Sequence, residues 1–400
     1  MRNENNKHSW CVNPYLTLGT IPSGEVVPCC MSFKQYKTDA GNKTVGEESI
    51  LNFWKSKDRQ QFIADLASGK QMPECSNCWK EESAGKESKR VRDNAVWAGL
   101  VTGNMQDPVN MYLALGDLCN LKCRICGPDR SSVWVEEESK ISWYSNIKLK
   151  LFNDPKETRK SFSSSNINFW KDILPLMPTI TRIDLSGGEP LYVKNHWKLI
   201  KHCVDNDLSK NQIIHYSTNG TIFPEKYISY LNAFKTVEMY ISLDSIGQEF
   251  NYLRHPGNFV EVDENINKFC QVRDSKITNW DLGGTISISA FSVWNFPATF
   301  EYCKSKGITV YVNIVHDTRS MKFLPRKLKD TIIERLLAHT SEYAEWTSQR
   351  DQIILYLNNH SYNPILWKLF WKEVRQRDTF RGESFETTFP EYYEAIKPYL

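Results

Sequence analysis

The stretch CNLKCRIC, residues 119–126, sets Cys119, Cys123 and Cys126 at the spacing Cys-x3-Cys-x2-Cys, directly behind the β-type run VNMYLAL at 109–115. Thiolates are soft ligands that select zinc, copper(I) or iron–sulfur clusters. A structural zinc takes four ligands, usually from paired Cys-x2-Cys knuckles. Three cysteines with no fourth Cys or His beside them suit a cubane cluster with one iron left open to substrate. Polar Asn120, Lys122 and Arg124 between the thiols mark a loop rather than a buried core segment.

Outward from this loop the chain alternates in type. β-Type runs recur at 183–186, 212–218, 237–243, 285–291 and 308–315, and helical patterns lie between them, such as Trp197, Ile200, Val204 and Leu208. Six strands alternating with helices over 106–320 predict parallel pairing and an α/β barrel or open sheet. Such folds build their sites at the C-terminal strand ends, and the polar motifs fall there. SGGEP supplies Gly187, Gly188, Glu189 and Pro190, STNG supplies Ser217 and Asn219, and SLDS supplies Ser242 and Asp244, with Arg254 ten residues on. His316 and Asp317 follow the last run. Glycines admit close backbone approach, a carboxylate accepts from an ammonium, and a guanidinium grips a carboxylate.

The flanks differ from this pattern. Residues 1–105 begin with a hairpin, CVNPYLTLGTIPSGEVVPCC, followed by a helix that Ser49 caps and Gly69 stops. They hold Cys11, Cys29, Cys30 and the knuckle Cys75-Ser-Asn-Cys78. Residues 321–400 are aromatic-rich and read as a helical packing appendage. The charged, then Ser-rich stretch 129–165 reads as a long loop or insertion.

Composition limits the classes. With 40% hydrophobic and 24% charged residues, disorder and coiled coil are poor readings. Fifty Lys plus Arg against 47 Asp plus Glu leave a net charge of +3, which does not argue for a nucleic-acid partner. No apolar run approaches the ~18 residues that span a bilayer, and MRNENNKHSW has no signal-like apolar core, so a cytoplasmic location without membrane attachment is expected. Eleven cysteines kept reduced there favour metal or redox chemistry over disulfides. Cys203, Cys270 and Cys303, single on apolar helix faces, read as core thiols.

CNLKCRIC after a strand, with SGGEP, STNG and SLDS at successive strand ends, resembles the radical S-adenosylmethionine (SAM) superfamily over roughly residues 107–316. The resemblance implies a partial (β/α)6 barrel and a [4Fe-4S] cluster on Cys119, Cys123 and Cys126, its open iron chelated by SAM. Gly187, Gly188, Glu189 and Pro190 would hold the SAM amino group, Ser217, Asn219, Ser242 and Asp244 the ribose, and Arg254 the carboxylate. Ile286 and Ile288 would meet adenine. Reduction would then release a 5′-deoxyadenosyl radical that abstracts a substrate hydrogen.

Cys11, twelve residues, Gly24, four residues and Cys29 resemble the start of the auxiliary-cluster domain called SPASM, and of its shortened form called twitch. The cysteines needed for a second auxiliary cluster are absent after Cys78, so twitch is the closer match. An auxiliary [4Fe-4S] cluster on Cys11, Cys29, Cys75 and Cys78 is implied. Such domains usually follow the barrel, whereas here the cysteines precede it. Cys30 in place of Cys29, and a zinc ribbon in place of a cluster, stay open.

The leading functional reading is a radical SAM oxidoreductase that oxidises or cross-links a peptide or protein, fed by a flavodoxin- or ferredoxin-like reductant. His316 and Asp317 are positional candidates for its proton acceptor. A small-molecule or antibiotic-precursor substrate, or a non-catalytic iron–sulfur or zinc scaffold, are the alternatives.

Overall fold

The computed structural model describes residues 6–83, 87–103, 106–141, 167–275 and 279–400. Most of the stretch read as a long loop therefore lies outside the described residues; its first part contains the helix Trp134–Lys140. The strands are β1 Thr17–Thr20, β2 Val26–Val27, β3 Asn110–Ala114, β4 Arg182–Ser186, β5 Ile213–Thr218, β6 Thr236–Ser242, β7 Trp280–Ile288 and β8 Thr309–Ile314. They lie in the order β2-β1-β3-β4-β5-β6-β7-β8, mostly parallel, with β2 and β8 at the edges. The six strands expected between 106 and 320 are β3 to β8, so the fold is α/β with an unclosed sheet. The chain divides into two compact units, one of residues 1–119, 156–217 and 224–238, the other of 120–155, 218–223 and 239–400.

In the first unit the expected hairpin forms, with Gly19 opposite Val27. Its β1 also pairs in parallel with β3, from Thr17 opposite Asn110 to Thr20 opposite Leu113, so the N-terminal segment extends the sheet. The helix expected from Ser49 to Gly69 is two helices, Ile50–Lys55 and Lys57–Ala67. Ser56 breaks the run because its backbone is extended, with ψ at 151°, and its hydroxyl caps the second helix at Arg59 N.

Strand residues in this unit alternate in burial. Met111, Leu113, Ile183, Leu185, Ile214 and Val237 are fully buried, whereas Tyr112, Arg182, Asp184, His215, Ser217 and Glu238 are only partly buried or exposed. A parallel sheet covered by apolar layers on both faces reads as continuous hydrophobic runs; this period of two leaves one polar face. Arg182 organises that face by donating to both Glu238 oxygens at 2.9 and 2.7 Å and to Asp184 at 2.8 Å. Burial opposes the charge of Glu238, but hydrogen bonds from His215 and Arg182 and the guanidinium charge hold its carboxyl at about 2.

His196, at the start of the helix His196–Asp205, is fully buried between Val193 O and the Tyr216 hydroxyl. Burial lowers its pKa to about 4, against the opposite effect of the hydrogen bond with Val193 O. A depressed imidazole pKa stabilises the fold above the unfolded value of about 6.5, and that stability drains away as pH falls toward 4. We expect unfolding free energy to drop by about 2 kcal/mol between pH 7.5 and 5 from this group alone. Urea unfolding of wild type and His196→Gln across this range checks it, the variant losing that part of the slope.

In the second unit β7 and β8 pair in parallel from Gly283 opposite Thr309 to Ile288 opposite Ile314. β7 starts at Trp280, five residues before the expected run, because Gly283 and Gly284 belong to the strand rather than to a turn. A Cβ on Gly283 would stand 2.7 Å from the Tyr240 ring, and one on Gly284 would stand 2.9 Å from Cys303 Sγ, so close packing demands both glycines. The C-terminal segment is helical as expected, with Arg326–Ala338, Glu345–Asn358 and Pro364–Arg381 its longest helices. Among the described residues no helix is long and apolar enough to cross a membrane.

Candidate functional site

Two groups of cysteines can be placed. Cys11 precedes the turn Asn13–Leu16, Cys29 follows β2, Cys75 closes the 3-10 turn Pro73–Cys75, and Cys78 lies in the helix Ser76–Ser83. These four thiols line one cavity together with Asn13, Met31, Ser32, Lys89 and Arg90. Burial is the main cause that pushes Cys11 and Cys75 up to about 12 and raises Cys29 and Cys78 as well. Alone, these thiols stay protonated, so metal binding must expel protons. Four soft donors on one cavity fit an iron–sulfur cluster. Cys30 is exposed and lines a neighbouring cavity instead of this one.

That second cavity, about 280 Å³, is walled by Asn13, Cys29 and Lys89, shared with the first, and by strand residues Asn110, Tyr112, Arg182 and Asp184. The four-cysteine site therefore adjoins a chamber on the polar face of the sheet.

The radical SAM motifs begin in the first unit with buried Cys119, at the end of the loop that leaves β3. SGGEP runs alongside this loop: Gly188 N donates to Gly116 O and Glu189 N to Leu118 O, both at 2.8 Å. The sequence assigns its glycines to ligand approach; the structure gives them a nearer reason. A Cβ on Gly188 would stand 2.3 Å from Leu118 O, and one on Gly187, at φ +120°, would stand 2.6 Å from Gly116 O. Gly188→Ala is expected to destabilise the protein by at least about 2 kcal/mol, since backbone must move, and anaerobic thermal melts will show it. Glu189 is fully buried and its Oε1 accepts from Leu191 N at 3.0 Å, opening the 3-10 turn Pro190–Tyr192.

In the second unit Arg254 joins two motifs. Its Nη2 pairs with Asp244 Oδ2 at 2.8 Å and its Nη1 donates to Cys123 Sγ at 3.8 Å, while Asp244 Oδ1 accepts from Ser287 N. Asn219 donates to Asn120 Oδ1 at 2.9 Å, tying STNG to the cysteine loop through a residue that the sequence reading left without a role. Ser217 meets His215 Nε2 at 3.1 Å on β5, and Ser242 ends β6. Cys126, raised by burial, lies where Arg319 Nη1 donates to Cys126 O at 2.7 Å and Arg124 O at 3.1 Å.

Arg319 was invisible as a site residue in the sequence, and it redefines a candidate. Asp317 holds the Arg319 guanidinium through both carboxylate oxygens, and His316 Nδ1 meets the Tyr356 hydroxyl at 3.1 Å. The C-terminal helix adds Arg381, whose Nη2 donates to Lys122 O, and Asp378 with neighbouring Glu383, which both pair with Arg124. The segment read as packing thus fastens residues 122–126 from several sides. Cys203 and Cys303 are buried and Cys270 is partly so, as core thiols should be.

Residues 113–284 match the model of the radical SAM superfamily, and residues 11–79 match that of SPASM, an iron–sulfur cluster-binding domain. The chain carries a radical SAM domain. A radical SAM domain takes a [4Fe-4S] cluster and SAM, and a SPASM domain takes auxiliary iron–sulfur clusters; here it precedes the radical SAM domain. No curated protein matches the chain. Among solved structures, it is similar to native anSMEcpe with bound AdoMet, at 16% identity over 68% of this chain and 60% of that one, with a TM-score of 0.33. It is also similar to Streptococcus suis SuiB, at 11% identity over 82% of this chain and 66% of that one, with a TM-score of 0.34. The chain thus spans less than two thirds of the first of these.

Proposed function

We propose that the protein is a radical SAM oxidoreductase that oxidises or cross-links a peptide or protein substrate. The observation that carries this reading is the sharing of Asn13, Cys29 and Lys89 between the four-cysteine cavity and the polar chamber. A substrate group in that chamber would lie beside Cys29, where an electron leaving the substrate needs only a short path. The SPASM match supports a modifying enzyme with an auxiliary redox centre over one without.

In this reading Cys119, Cys123 and Cys126 hold one [4Fe-4S] cluster, and Cys11, Cys29, Cys75 and Cys78 hold the auxiliary one. Gly187, Gly188, Glu189, Pro190, Ser217, Asn219, Ser242, Asp244 and Arg254 bind SAM. Bound and reduced by a flavodoxin- or ferredoxin-like donor, the cluster and SAM supply a 5′-deoxyadenosyl radical for hydrogen abstraction. Lys89, paired with Asp93, and Arg90, paired with Glu82, border the auxiliary site. Asp317, with both oxygens on Arg319, is a poor proton acceptor, and His316 keeps that role.

The test is an anaerobic incubation of the two-cluster protein with SAM, reductant and any short peptide encoded beside its gene. Formation of 5′-deoxyadenosine together with loss of two hydrogens from the peptide is expected. Deoxyadenosine with an unchanged peptide would turn the reading to a small-molecule substrate; none at all would turn it to a scaffold.

A further inference from the structure

The cavity of about 280 Å³ beside Cys29 has a charge pattern that the proposed function does not use. Its two cations are already engaged. Arg182 is committed to Asp184 and Glu238, and Lys89 pairs with Asp93 at 2.9 Å. Asn13 Nδ2 also donates to Asp93, at 2.7 Å. Two carboxylates, Asp93 and Asp184, line the cavity, and Glu238 holds Arg182 from outside it, so an arriving anion would find both cations already matched.

A second observation points the same way. Asn110, at the start of β3, lines the cavity at 7% exposure, and its side-chain Oδ1 is buried without a hydrogen-bond partner among the described residues. A buried acceptor left unmet costs about 1–3 kcal/mol, a cost that a donor reaching Asn110 from the chamber would relieve. Val96 and Trp97 complete the wall with apolar and aromatic surface, which suits an aliphatic stem and favours a cation near the ring.

We propose that this cavity seats a cationic side chain of the substrate, an ammonium or guanidinium group that donates to Asn110 and faces Asp184 and Asp93, its stem along Trp97. The inference rests on the peptide reading and makes it more specific: the residue beside the auxiliary site is basic.

The experiment is equilibrium binding of three probes to the anaerobically reconstituted protein: N-acetyl-lysine methylamide, its norleucine analogue and its glutamate analogue. The lysine probe is expected to bind at least about tenfold more tightly than norleucine, whose stem matches but which leaves Asn110 and the carboxylates unmet, and glutamate is expected not to bind. Asn110→Leu and, separately, Asp184→Asn should each weaken the lysine probe by about tenfold; wild-type iron content and melting temperature would show that the variants are folded. Equal binding of lysine and norleucine, tighter binding of glutamate, or no binding of lysine overturns the cationic seat. Deoxyadenosine formation in the same samples separates the two levels, because its presence leaves the radical reading standing when the seat fails, and its absence removes that reading itself.

Discussion

Arg124→Met is expected to lower the unfolding free energy by about 3 kcal/mol and to speed iron loss from the Cys119, Cys123 and Cys126 site. Arg124 lies between two of those cysteines, and its side chain is 1% exposed. Its Nη2 pairs with Asp378 and Glu383, each at 2.5 Å, and its guanidinium stacks on the Tyr252 ring at 3.5 Å. Both acids are tied further, Asp378 by the Tyr252 hydroxyl and Glu383 by His255 Nδ1. Methionine would fill the volume while leaving two partly buried carboxylates without their shared cation, the costly way to break a buried pair. Urea unfolding and chelator-driven iron release measure the two effects. Adding Asp378→Asn and Glu383→Gln to the methionine variant should recover part of the loss, the non-additivity of groups in one network. A cost below about 1 kcal/mol would mean that the cluster behaves as a surface salt bridge and does not hold the loop.

Iron content and its rate of release separate the two cysteine groups. With Cys119, Cys123 and Cys126 all changed to Ala, anaerobic reconstitution is expected to leave about four irons per chain and no zinc. Adding Cys29→Ala should leave a three-thiolate site that loses its iron to a chelator much faster, whereas adding Cys30→Ala should leave both iron content and release rate unchanged. The distinction follows from placement, since Cys29 is buried and shares the cavity of Cys11, Cys75 and Cys78, and Cys30 is exposed outside it. Zinc without iron would make the segment a structural ribbon. Iron lost with Cys30 and kept without Cys29 would reverse the assignment.

What could be read from the sequence is what depends on short spacings. Three thiols within eight residues encode a ligand set because neighbouring residues on a loop can reach one group. Alternating 2- and 3.6-residue periods encode a β/α order because each element buries one face. The turn in the hairpin and the polar ends of the strands followed from the same local rules. Local rules ran out at the glycine pairs. Gly283 and Gly284 lie inside β7 and allow close contacts with Tyr240 and Cys303, and Gly187 and Gly188 make room for backbone at 116–118.

Tertiary structure decided everything that pairs distant residues. The addition of β1 to β3, the placing of Cys29 and not adjacent Cys30 in one cavity with Cys11, Cys75 and Cys78, the grip of Arg319 and Arg381 on the cysteine loop, and the unmet oxygen of Asn110 leave no periodic trace in the chain. Arg124 and Asp378 stand 254 positions apart. An arginine and an aspartate at that separation look like any two surface charges until folding buries them together, and only burial turns their attraction into a constraint on the loop.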